Sequence, residues 1–554
     1  MTHRPPEKRL KVLYILSRGR SGSTILDLAL GTLDGFWSTG ELRLLFPFGM
    51  AGEQACACGS RVNQCALWSR VLAQVTEIRD PGLATILEWD RELFGLRAAF
   101  RVLASRRRRG LEAWETLGRY ASLLGGLYGS LARHTGSRVV VDSSKRAVHP
   151  GVLGLVPGIE PYAVHLVRDP RAVNFSEATR VEAHRLEDTP PFLPVWKTAG
   201  WVVYNLLIEC VLRRYLPGRW VRVRYEDFAA RPGPVLEAIG ALVGEVPGLD
   251  EGMTAVEVRH NHMVAGNRAR HSRGTVQLQE DRLWRREMPA WDARVTTLIA
   301  SGLLGRYGYP LDARPRLKLY GERNSGTRYL ERLLRRNLRV RLLPGTVPRL
   351  LDSLSLGNEW VKDLYFRKTF GRNLGWKHML VPEADWLPGD TFFVCLTKDP
   401  YSWLLSLYRR PHHARRRYSS FQAFLAAPWE SVGRENSPPC FANPMDLWNQ
   451  KTASYLRLAR ARPTLLVTYE ELLADPPAVV ARIGELSEGR PRSGPFRNIS
   501  RSTKAGGRDY AFCRDYYLDR RWARELEPGA LLLINEHLDA GLMARLGYPR
   551  MEPS

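Results

Sequence analysis

Lysine is scarce in this chain: 11 lysines stand against 71 arginines among 554 residues. The loop that cradles nucleoside triphosphates needs a Gly-Lys-Ser/Thr step. Neither of the two glycine-bearing loops described below carries that lysine, which sets a nucleotide kinase or similar phosphotransferase in second place. Long uncharged apolar runs are missing too. None reaches the roughly 18 residues of a membrane span, and the nearest, Trp201 to Cys210, is interrupted by Glu209 and Arg213. Met1 to Leu10 is polar, and the apolar run after it is too short for a signal peptide. The expectation is no transmembrane segment and a cytoplasmic protein. The seven cysteines form no regular disulfide framework.

What is present is positive charge, +25 net. It favours anionic partners: nucleotide phosphates, sulfated or acidic glycans, nucleic acid or a membrane surface. The runs Arg106–Arg109 and Arg409–Arg417 read as solvated faces. Specific nucleic-acid binding is not expected, because neither interleaved aromatics nor a reading helix accompanies the charge. A 44% hydrophobic share marks a globular chain, and its length calls for two or more domains.

The chain is organised around Ser17-Arg18-Gly19-Arg20-Ser21-Gly22-Ser23-Thr24. An apolar run, Val12 to Leu16, reads as a buried strand before it, and Ile25 to Leu30 as a helix after it. Unpaired N–H groups and the helix dipole make such a corner an anion site. Arg20 adds charge, and Ser21, Ser23 and Thr24 add hydroxyls. The spacing of its glycines does not fit a nucleophile elbow.

An internal repeat divides the chain. Val223 to Pro232 is echoed by Val467 to Pro476, Val167-Arg168-Asp169-Pro170 by Thr397-Lys398-Asp399-Pro400, and Leu304 to Pro310 by Arg545 to Pro549. Leu317 to Gly321 leads into Glu322-Arg323-Asn324-Ser325-Gly326-Thr327-Arg328, a second strand-loop-helix unit. Two homologous domains are expected, 8–310 and 316–550, joined by Leu311 to Pro315. β-rich runs at Arg138–Val141, Ala163–Val167, Trp220–Val223, Thr391–Leu396 and Thr464–Val467 alternate with helical stretches. That pattern predicts an α/β fold with a central parallel sheet in each half. Ligands in such sheets sit at the carboxyl ends of the strands.

Arg20-Ser21-Gly22-Ser23-Thr24 resembles the 5′-phosphate-binding loop of sulfotransferases that use 3′-phosphoadenosine 5′-phosphosulfate (PAPS). The first half is similar to the bacterial and tyrosyl-protein types. The resemblance implies two P-loop-like three-layer αβα domains and a sulfuryl transfer from PAPS to an acceptor hydroxyl, that of a carbohydrate among others, or to an amine, with PAP leaving and no metal required. It implies that Arg168 and Ser176, eight residues apart, hold the nucleotide's 3′-phosphate together with the Gly266-Asn267-Arg268-Ala269-Arg270 loop. It implies Glu41, in Ser38-Thr39-Gly40-Glu41, as the base. Lys145, in Asp142-Ser143-Ser144-Lys145, would contact the sulfuryl group, and Arg20 the 5′-phosphate.

In the second half Ser325, Gly326 and Thr327 keep the loop, Arg323 stands one place early, and Asn324 occupies the cation's position. Lys398 and Ser406 repeat the eight-residue spacing. Lys377-His378 resembles the Lys/His pair of cytosolic sulfotransferases, with His378 as a base. No clear late loop follows; Arg501, Lys504 and Arg508 are candidates. Cys56-Ala57-Cys58-Gly59 with Cys65 offers three thiols and no neighbouring histidine, an incomplete zinc set, so no metal is expected. A non-catalytic basic protein that binds glycans or nucleic acid is the reading from another class. The acceptor is assigned to variable loops such as the Leu67 to Leu131 insert.

Overall fold

The computed structural model describes residues 9–52, 55–78, 82–94, 101, 114–183, 193–250, 252–312, 314–355, 358–412, 418–500 and 509–552. The arginines at 106–109, those of the second run beyond His412, and the candidates Arg501, Lys504 and Arg508 lie outside these residues. Two compact units make up the chain, Met1–Leu311 and Asp312–Ser554.

Unit 1 is built on a five-stranded, wholly parallel sheet of order β2-β3-β1-β4-β5. The strands are β1 (Leu10–Leu16), β2 (Phe36–Ser38), β3 (Val139–Asp142), β4 (Ile159–Val167) and β5 (Trp220–Arg224). Side chains alternate faces along a strand, and both faces are buried. Val12, Tyr14 and Leu16 enter one apolar cluster, while Leu13 and Ile15 enter another. Helices cover both, which gives the three-layer αβα arrangement. Those that frame the site are α1 (Ser23–Leu30), α2 (Ala66–Ala73), α3 (Pro170–Ala183), α4 (Leu193–Tyr215) and α5 (Tyr225–Ala230). Within α4, Pro194–Tyr215 has the length and apolar content to cross a membrane. Its Trp201, Ile208, Val211 and Leu212 are buried, and its Glu209 receives Arg222 and Arg306 at 2.9 Å each. A short antiparallel pair, Ala255–Val258 with Gly274–Gln277, lies outside the main sheet.

Unit 2 repeats the design on four parallel strands of order β7-β6-β8-β9. These are β6 (Arg316–Gly321), β7 (Arg341–Leu342), β8 (Thr391–Thr397) and β9 (Thr464–Thr468), with α6 (Thr327–Asn337), α7 (Pro400–Arg409) and α8 (Tyr469–Ala474) at their ends. Again two apolar clusters flank the sheet, Leu317, Leu319, Val394 and Leu396 on one face and Tyr320, Phe393 and Cys395 on the other.

Candidate active site

In unit 1 the loop after β1 turns through two left-handed residues, Arg20 at φ 64° and Gly22 at φ 85°. Gly22 answers two demands. An L side chain resists that φ, and a Cβ there would lie 2.3 Å from Cδ2 of Tyr225. The amides of Ile25 and Leu26 both donate to the Gly22 carbonyl, closing the first turn of α1.

At this corner the fold gathers three residues from separate elements. Arg168, at the end of β4, donates from NH1 to the Arg20 carbonyl at 3.0 Å. Its guanidinium lies 4.7 Å from the Tyr225 ring centre, and its NH2 pairs with the half-exposed Asp281 at 3.2 Å. Arg20 in turn donates from Nε to Ser176 Oγ of α3 at 3.0 Å. Ser21 Oγ, one residue on, is buried with no hydrogen-bond partner among the described residues. Behind the corner, Glu226 accepts from the Asp169 amide at 3.1 Å and from Tyr309 OH at 2.7 Å. Burial, then the Asp169 charge, pushes its carboxyl up to about 7.

The late loop sits on the start of α1. The Asn267 amide donates to Thr24 Oγ1 at 3.2 Å, and a Cβ at Gly266, which sits at φ 144°, would lie 3.2 Å from the same hydroxyl. Asn267 caps its own turn by accepting from Arg268 N. Arg270, expected at the 3′-phosphate, is buried and donates from NH1 to the Gly266 carbonyl at 2.6 Å, bracing the loop from within.

Glu41 and Lys145 meet as an ion pair, Nζ to Oε1 2.6 Å, each about one-fifth exposed. The Glu41 amide is tied to the Ala265 carbonyl, one residue before the late loop. Lys145, at φ 63°, follows a segment anchored by Asp27 of α1, whose carboxylate accepts from Ser38 Oγ at 2.5 Å and Ser143 Oγ at 2.6 Å. Burial pushes Asp27 up to about 7. Asp27 escaped the sequence reading, although a lone acid within the apolar Ile25–Leu30 stretch was a visible signal.

Unit 2 carries the same corner in altered chemistry. Gly326, at φ 92°, faces Tyr469 as Gly22 faces Tyr225, with a Cβ position 2.4 Å from the ring. Asn324 takes the left-handed place of Arg20, φ 61°, and donates to the Ser406 carbonyl at 3.2 Å. Lys398 Nζ donates to Ser406 Oγ at 2.8 Å and lies 3.9 Å from the Tyr517 ring centre. The Asp399 amide finds Glu470, which also holds Tyr548 OH. Two expected phosphate ligands turn elsewhere. Arg323 is buried and paired with Glu322 and Glu435, which Lys451 also joins, so its charge is neutralised inside the unit. Ser325 Oγ donates back to the Glu322 carbonyl. Thr327 begins α6 at the cleft.

His378 Nδ1 bonds the Gly321 carbonyl at 2.5 Å. A carbonyl only accepts, so the proton sits on Nδ1 and Nε2 keeps its lone pair. Burial, then the charges of Lys377 and Arg323, holds its pKa well below the usual histidine value. His378, Lys377, Asn324, Thr327, Ser406 and Tyr469 line a cleft of about 1480 Å³.

The three thiols do find a histidine. His262 closes on Cys56, Cys58 and Cys65, and the four ligand atoms lie within 4.8 Å of one another. The expected incomplete set is thereby corrected: the fourth member comes from 197 residues along the chain.

No family model and no curated protein matches the chain. Among solved structures it is similar to the sulfotransferase domain from the curacin biosynthetic pathway, at 21% identity over 55% of this chain and all of that one, with a TM-score of 0.32. It is also similar to the sulfotransferase domain from the Synechococcus PCC 7002 olefin synthase, at 22% identity over 56% and 98%, with a TM-score of 0.32. A sulfotransferase from Alicyclobacillus acidocaldarius aligns at 12% identity over 54% and 96%, with a TM-score of 0.24.

Proposed function

We propose that unit 1 moves a sulfuryl group from PAPS to an acceptor hydroxyl or amine, and that unit 2 is a divergent second site for the same nucleotide. One observation carries the reading. Arg20, Arg168 and Ser176 are hydrogen-bonded into a single corner, and Asn324, Lys398 and Ser406 repeat it. A helix N-terminus beside a fixed cation suits one phosphate, and a guanidinium or ammonium with a hydroxyl suits a second. A nucleotide phosphorylated at both ends of its ribose meets both demands.

In the transfer, the acceptor oxygen bonds to sulfur while Glu41 takes its proton. The bond from sulfur to the bridging phosphate oxygen breaks, and its electron pair leaves with PAP. Lys145, Arg20 and the loop amides lie where that negative charge collects. In unit 2 the Nε2 lone pair of His378 takes the part of Glu41. The seven cysteines form no disulfides, which suits a reducing, cytoplasmic setting.

The test pairs calorimetric titration with PAP and incubation with labelled PAPS and a panel of carbohydrate, lipid, peptide and small-molecule acceptors. The expected result is saturable PAP binding and labelled product. Affinity that ignores the 3′-phosphate and collapses with salt would favour a basic binding protein instead.

A further inference from the structure

We propose that Cys56, Cys58, Cys65 and His262 bind one zinc ion, in a closed structural site that clamps the late loop of unit 1. The distances suit such an ion. Cys58 Sγ lies 3.8 Å from Cys65 Sγ, and His262 Nδ1 lies 3.1 Å from Cys65 Sγ and 3.8 Å from Cys56 Sγ. A tetrahedral zinc, at about 2.3 Å from sulfur and 2.0–2.1 Å from nitrogen, requires sulfur–sulfur edges of about 3.8 Å and sulfur–nitrogen edges of about 3.6 Å. The sulfurs are too far apart to be disulfides, which need about 2.05 Å. Three thiols and an imidazole around one point, with no carboxylate among them, select zinc over magnesium or calcium. Four protein ligands mark a structural site rather than a catalytic one.

The surrounding backbone holds each ligand in place. Residues 55–61 form a tight knuckle: Ala55 bridges Arg61, the Cys56 amide donates to Ser60, and Gly59 turns at φ 99° to return its amide to Cys56. Cys65 stands at the N-terminal cap of α2. Trp68 Nε1 donates to the His262 carbonyl at 2.8 Å, the Trp37 ring lies near-parallel to the imidazole at 6.3 Å, and the Ala57 amide donates to the Met263 carbonyl. Cys56 and Cys65 are fully buried, and Cys58 is partly exposed.

What the ion would hold is legible from the residues after His262. The Val264 amide donates to Thr39, the Ala265 carbonyl receives the Glu41 amide, and the Asn267 amide reaches Thr24. Zinc at His262 therefore fixes the segment that joins the proposed base to the phosphate loop. That consequence rests on the proposed function; the metal site itself does not.

The experiment measures zinc in the full chain, purified reduced and passed through a weak chelator, alongside a count of reactive thiols. About one zinc per chain is expected, with Cys56, Cys58 and Cys65 protected until a mercurial releases the metal, while Cys395 is shielded by burial alone. Cobalt(II) should give the absorption of a tetrahedral thiolate site. Cys58→Ser, the least buried ligand, should weaken zinc binding at least about tenfold, since loss of an outer-sphere partner alone costs 10–100-fold. Cys210→Ser, on the exposed face of α4, should leave it unchanged. A wild-type chain that is free of zinc as purified and takes up none when zinc is supplied would overturn the proposal. So would a Cys58–Cys65 disulfide in reduced preparations, or zinc content indifferent to Cys58→Ser with no cobalt thiolate band.

Discussion

Arg168→Ala should weaken PAP binding to unit 1 by about 30- to 150-fold. A two-pronged charged contact with phosphate contributes about 3 kcal/mol at the lower end of such bonds. Against it stands at most about 1 kcal/mol for the pair with Asp281, an exposed carboxylate that the phosphate displaces. The remaining 2–3 kcal/mol, at about 1.4 kcal/mol per decade, gives the stated change in Kd. The variant also loses the bond to the Arg20 carbonyl and the stacking on Tyr225. Those cost about 1–2 kcal/mol of stability, so ligand-free unfolding must be measured beside the calorimetry. Lys398→Ala supplies the internal control, because it disturbs only the corner of unit 2. The reasoning is refuted by a folded Arg168→Ala protein whose PAP isotherm overlays that of the wild type.

Glu41→Gln should lower turnover about 10²- to 10⁴-fold, the usual share of a general base, while leaving PAP affinity nearly intact; unchanged product formation from labelled PAPS would remove Glu41 from the mechanism. Gly22→Ala should destabilise unit 1 by about 2–4 kcal/mol, from the left-handed φ and the clash with Tyr225, read as a lower urea midpoint with impaired PAP binding. His165, buried in β4 and bonded through Nε2 to Asn205, has its pKa pushed down to about 4 by burial. Its folded state refuses a proton that the unfolded chain accepts near 6.5, so this contribution is complete above that pH and is lost as pH falls towards 4. At pH 5 the loss is about 2 kcal/mol, and His165→Gln should show a correspondingly flatter acid limb in urea unfolding than the wild type.

The strands that position the site were legible because they are buried on both faces, so Val12–Leu16 and Thr391–Leu396 stand out as unbroken apolar runs. β2 and β7, three and two residues long, carry too little pattern to be read. Arg168 with Ser176 was named through the resemblance, and the fold brings the two to one corner by way of Arg20. Glu41 and Lys145, 104 residues apart, came through resemblance, not spacing. The ion pairs of Arg323 were not legible, because sequence position does not say which way a side chain turns. Asn324 is the left-handed residue, and that backbone reversal directs Arg323 toward Glu435. There the charges of Lys451 and Arg323 outweigh burial and hold the Glu435 carboxyl down at about 2. His262 was beyond reach, since only the folded sheet brings it to the cysteines.

The repeat itself now has a physical meaning. Its echoed segments are not scattered homology but the parts of one brace. The tyrosine that opens each Tyr-Glu pair packs its ring against the loop glycine, Tyr225 on Gly22 and Tyr469 on Gly326. The glutamate beside it accepts the amide of the Asp that begins the next corner and the hydroxyl of the tyrosine before the final proline, Tyr309 or Tyr548. A buried amide at a strand end costs free energy unless it is bonded. Each echoed motif therefore answers a requirement set by the corner, and the same bonds stand in unit 2, where Lys398 holds the position of Arg168 and Asn324 that of Arg20. The side chain at the corner differs between the two units, but the backbone beneath it keeps the same bonds, because they are closed within each unit.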